Sequence, residues 1–144
     1  MTQHDVQDTR INAVIGDDET SSEDAIDKFF DHLHASLQLP CEVTGIEDFQ
    51  WEEYYVIGPG DPSEWKRLRK KQPSYKDTYD LLAVQRQACS KWMMHPDEDL
   101  GGLVRRKSDG REFLLGLSEI EAVDKESVNY QLLDDYAVWY VNSR

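Results

Sequence analysis

Five carboxylates, Glu47, Asp48, Glu52, Glu53 and Asp61, accumulate in the stretch LPCEVTGIEDFQWEEYYVIGPGD at positions 39–61, with no basic residue among them. A hard cation is the ligand such a set would serve. Calcium takes roughly six to eight oxygen ligands, several of them carboxylates, and turns supply backbone carbonyls that point free. Glu47, Asp48, Glu52 and Asp61 are therefore the candidate calcium ligands, Asp61 following the turn Gly58-Pro59-Gly60. No segment fits D-x-[DN]-x-[DN]-G-x5-E, so such a site lies outside any EF-hand. In a strand Glu52 and Glu53 point to opposite faces, so one compact site takes at most one of them. The loop carboxylates Glu47, Asp48 and Asp61 then carry most of the weight. A solvated acidic edge is the plainer reading of the same residues.

Two further acidic clusters compete. Asp97-Glu98-Asp99 precedes Gly101-Gly102 and has the character of a cation loop or of a solvated one, and Asp17-Asp18-Glu19 falls in a polar N-terminal stretch. Lys66-Arg67-Leu68-Arg69-Lys70-Lys71 is a basic run, more often a solvated helix face than an anion site, with Trp65 beside it as the anchor for a protein partner. Catalytic signatures are lacking. His4, His32, His34 and His95 show no paired-ligand spacing, Cys41 and Cys89 no nucleophile signature, and no glycine-rich phosphate loop or nucleophile elbow occurs. The expectation is a binding protein and not an enzyme.

The whole chain restricts the partners. A formal net charge of -13 opposes nucleic acid and anionic membrane surfaces, which are held by clustered Lys and Arg. With 144 residues and 39% apolar content, one domain with one core is expected. Two distant cysteines signal neither a disulfide framework nor a zinc site. No apolar run approaches the roughly 20 residues of a membrane span, and the first residues lack a basic start followed by an apolar core. A cytoplasmic protein is the expectation.

Several elements must position the acidic window. Residues 1–21 are polar and aperiodic and read as a mobile acidic tail, with Ile11, Val14 and Ile15 available to dock on the domain of residues 22–144. Ile26, Phe29, Phe30, Leu33 and Leu37 recur at spacings of three and four, predicting a helix that starts near Ser22 and stops before Pro40. Strands are predicted over 41–46, 51–57 and 78–84, with a short basic helix over 63–71 and an irregular or partly stranded stretch over 85–99. Asp109-Gly110 between the apolar runs 103–107 and 111–117 predicts a hairpin. Ser127 or Asn129 caps a last helix through Tyr130, Leu133, Tyr136, Ala137 and Tyr140. The fold class is α+β: a small antiparallel sheet, open or closed into a partly open barrel, with an N-terminal and a C-terminal helix packed on it.

Two segments, FFDHLHASLQLPCEV and FLLGLSEIEAVDKESVNYQLLDDYAVWYV, together resemble the small acidic calcium-binding proteins typified by the cyanobacterial protein CcbP. There a helix leads into Pro-Cys or Pro-aromatic, and a Leu-containing strand precedes a terminal aromatic helix. The resemblance covers about half the chain and leaves residues 59–101 unmatched. It implies a compact domain with an antiparallel sheet and calcium bound by surface carboxylates outside an EF-hand, acting as a buffer or sensor. It identifies no individual ligand. The competing expectation is a metal-independent protein-interaction module with the same fold.

Overall fold

The computed structural model of the protein describes residues 3–16 and 21–143. Helix α2, Ser22–Ser36, is the N-terminal framework: Ser21 Oγ accepts the amide of Asp24 at 3.1 Å, and Glu23 and Asp24 place negative charge where the helix dipole favours it. Its stripe of Ile26, Phe29 and Leu33 is buried. Strand β1, Cys41–Gly45, follows within a few residues of the helix end, across Pro40.

Strands β2, Thr78–Gln85, β3, Gly101–Arg106, β4, Glu112–Gly116, and β5, Ile120–Ala122, complete a sheet of order β4-β3-β2-β1-β5. Every pairing is antiparallel, and the sheet is open. The hairpin at Asp109-Gly110 is present, with Gly110 at φ 75° as the turn requires. Alternation sends Val43, Tyr79, Leu81, Val104, Phe113 and Leu115 into the core. On the opposite face Glu42 lies across from Asp80, and Lys107 Nζ bridges the two at 3.0 and 3.1 Å, which offsets the repulsion of like charges in a cross-strand pair.

The last helix, α5, Val128–Ser143, starts where Ser127 Oγ accepts the amide of Tyr130 at 3.0 Å. It packs an aromatic cluster against α2, with Phe29 at 5.5 Å from Tyr136 and 5.2 Å from Trp139 between ring centroids. The expected α+β architecture with helices at both ends is present.

Two expectations are corrected. Within the first segment, expected to be aperiodic, helix α1, Gln3–Ile15, forms, and its residues are fastened to α5 by polar contacts. Arg10 grips Asp135 through Nε at 2.9 Å and through Nη2 at 3.0 Å, and Gln7 donates to Asp134 and Asp135. Ile11 is buried, and Val14 and Ile15 pack on the core, so the docking foreseen for them occurs. The stretch 51–57 is helical: a 3-10 turn, Gln50–Glu52, passes into helix α3, Glu53–Val56. Its aromatic and β-branched residues suit a pleated surface, but Trp51 and Tyr55 meet edge to face at 6.2 Å across one helical turn. Helix α4, Pro62–Leu68, follows, capped by Asp61.

Candidate cation site

The four predicted ligands separate into three environments. Glu52 is fully buried and accepts from Trp65 Nε1 at 2.9 Å, Ser74 Oγ at 2.7 Å and the Tyr75 amide at 2.8 Å. Its two oxygens are turned into a nest of donors, which welcomes a carboxylate and repels a cation. This carboxylate ties the 3-10 turn to α4 and to the loop before β2. Asp61 accepts the amide of Ser63 at 3.0 Å as the cap of α4 and is exposed there. Glu53 is exposed on α3.

Glu47 and Asp48 stand together on the loop after β1. The amide of Ile46 donates to the carbonyl of Glu119 at 3.0 Å, which lays this loop against the turn between β4 and β5. A cavity of about 460 Å³ opens there, lined by Glu47, Asp48, His95, Glu119 and Asp134 among others, and by no Lys or Arg. Asp134 is partly engaged, accepting from Gln7 at 2.8 Å. Glu119 was not singled out from the sequence. Its neighbours come from distant segments, so no local pattern marks it.

Behind Glu119 lies a second carboxyl, Asp99. It is buried, and Tyr136 Oη and Ser118 Oγ each donate to it at 2.6 Å. Gly116 separates the pair: a Cβ at that position would run into Glu119 Oε2 and come within 2.7 Å of Asp99 Oδ2. Both carboxyls are raised above their ordinary values. Burial pushes Asp99 up against the hydrogen bonds of Ser118 and Tyr136. Burial first, with the charge of Asp99 adding to it, pushes Glu119 up to about 7, while the amides of Met94 and Gly116 oppose the shift. The acidic triplet 97–99 is therefore split: Asp99 belongs to this pair, whereas Asp97 and Glu98 line a different cavity with Arg86 and Trp139.

As the side chains stand, no three His, Cys, Asp or Glu converge on a point that would hold a metal ion among the described residues. The predicted set therefore does not close on one ion in this conformation. Asp17, Asp18 and Glu19 lie outside the described residues. None of the described helices is long and apolar enough to cross a membrane.

No family model matches the chain, and no curated protein matches it. Two solved structures share its fold. The crystal structure of CcbP from Anabaena superimposes with a TM-score of 0.59 over 96% of this chain and 92% of that one, at 15% sequence identity. A calcium-binding protein described in its calcium-binding form superimposes with a TM-score of 0.54 over 99% of this chain and 97% of that one, at 18% identity. The resemblance read from the two end segments thus extends, as fold, across the unmatched middle.

Proposed function

We propose that this chain is a non-catalytic calcium-binding protein, a buffer or sensor, whose ion is held outside any EF-hand by Glu47, Asp48 and Glu119. The carrying observation is the cavity itself, which acidic side chains from three segments line with no Lys or Arg to neutralise them. Burial and the neighbouring Asp99 disfavour the charged form of Glu119, and a divalent cation relieves that penalty directly. Oxygen donors are the chemistry calcium selects, and carbonyls of the loop at positions 46–48 are available to complete its shell. Because Glu47 is exposed and Asp48 half-buried, their side chains are free to turn inward as the ion arrives. The fold shared with a calcium-binding protein supports the same reading.

Thermal denaturation of chelator-treated protein with and without calcium tests the assignment. At a free concentration about a hundredfold above Kd, binding to the folded state adds roughly 2.7 kcal/mol and raises Tm. Asp48→Asn combined with Glu119→Gln should cut that rise by about half or more at the same calcium concentration, and Asp61→Asn should preserve it. Loss of the rise in Asp61→Asn alone would move the site to the α4 cap.

A further inference from the structure

Six of the sixteen Lys and Arg residues, Lys66, Arg67, Arg69, Lys70, Lys71 and Lys76, lie within eleven consecutive positions. Trp65, the anchor expected from the sequence, is turned inward: its Nε1 donates to Glu52 and the Arg69 guanidinium lies 4.8 Å from its ring centre. Arg69 in turn pairs with Asp77 at 3.0 Å. Lys66 and Arg67 lie in the last turn of α4, and Lys70 and Lys71 follow just beyond its end at Leu68. All four are exposed, and among the described residues none of their side chains forms an ion pair or hydrogen bond. The contrast with the rest of the molecule is sharp. Arg10, Arg86, Arg105, Arg106 and Arg111 each hold a carboxylate, so Arg67 is the exception among the described arginines.

Before these cations in the chain, α3 and its C-cap expose Tyr54 at 58%, Val56 at 40% and Ile57 at 75%. The two helices form one hairpin across Gly58-Pro59-Gly60, and Tyr55 Oη donates to Glu64 at 2.9 Å to hold them together. Three exposed apolar side chains in one turn of helix exceed what solubility favours. We infer that the α3–α4 hairpin is a docking surface for an acidic protein segment that carries apolar residues among its carboxylates.

Charge complementarity selects this occupant. A duplex or an anionic bilayer is an extended polyanion and meets the field of a molecule whose net charge is -13. A short acidic segment lies within a Debye length, about 8–10 Å, of the local cations and is screened from the rest. Lys and Arg supply charge-assisted hydrogen bonds to its carboxylates, while Tyr54 and Ile57 bury its apolar residues.

The probe is a short fluorescein-labelled synthetic peptide of Glu and Asp interspersed with Leu and Phe, titrated by anisotropy with the full chain in chelator. Saturable binding is expected, weakened at least about tenfold by Arg67→Glu with Lys70→Glu and about tenfold by Ile57→Ser. The milder pair Arg67→Gln and Lys71→Gln should weaken it in the same direction, with unchanged circular dichroism showing that the fold is retained. A glutamate-only peptide should bind at least about tenfold less tightly. Absence of saturable binding, equal affinity for the glutamate-only peptide, or tighter binding of single-stranded RNA or phosphatidylserine vesicles would each overturn the inference.

Discussion

At Glu52 three donors converge on one carboxylate, and removing it strands the Trp65 indole, the Ser74 hydroxyl and the Tyr75 amide. A buried donor left without an acceptor costs about 1–3 kcal/mol, so Glu52→Ala is expected to destabilise by roughly 3 kcal/mol in urea denaturation. The calcium-induced rise in Tm of the variant should match that of the wild type, which separates a structural carboxylate from a ligand. Glu119 behaves differently. Its pKa is raised from 4.5 to about 7 in the folded state, so the folded chain binds that proton more tightly than the unfolded one. The resulting stability is full below about pH 4.5 and is lost as pH rises through about 7. Metal-free wild type should therefore lose on the order of 2 kcal/mol across that window relative to Glu119→Gln, measured by urea denaturation at a series of pH values. Identical slopes for the two proteins would contradict the raised pKa. Residue type alone marked Glu52 and Glu119 equally as acids. What separates them is the donors and burial that tertiary structure brings to each.

Between elements, the buried Arg106 guanidinium connects the β3–β4 hairpin to the segment after α4. It donates to the carbonyls of Arg69, Lys70 and Gln72 and to the carboxylates of Asp77 and Asp109. Asp109 is accordingly held down, to about 2. Arg106→Met would leave those acceptors without their donor, and breaking such a buried network costs about 3–5 kcal/mol. Hydrogen exchange should show lost protection at residues 69–77 while β1 and β2 stay protected. Local chemistry was legible where it alone decides the outcome: α2 stops before Pro40, Asp109-Gly110 turns the hairpin and Ser127 caps α5. It failed at 51–57, where β-type residues fold as helix because Glu52 and Trp51 find their partners at α4 and at the carbonyl of Pro73. It failed again at α1, whose few apolar residues gave no periodic signal and whose attachment rests on Arg10 and Gln7 reaching α5.

Across the whole molecule the acid excess is distributed unevenly. Six cations concentrate around α4, so the remaining surface is more acidic than the net charge of -13 suggests, and the cavity beside Glu47 and Asp48 carries no cation of its own. The fold class, helices α2 and α5 and strands β1 to β4 were within reach of pattern and resemblance, since each follows from periodicity or turn chemistry. The site was legible only in part: Glu47 and Asp48 were foreseen from loop position, but Glu119 and Asp99 come from the turn before β5 and the segment before β3, which no local spacing connects to position 47. Calorimetric titration of chelator-treated full-length protein with calcium chloride tests the central claim most directly. A saturable isotherm with millimolar or tighter affinity, weakened at least about tenfold by Asp48→Asn with Glu119→Gln, is the result predicted. No binding heat together with no thermal shift, or an isotherm unchanged in the double variant, would contradict it.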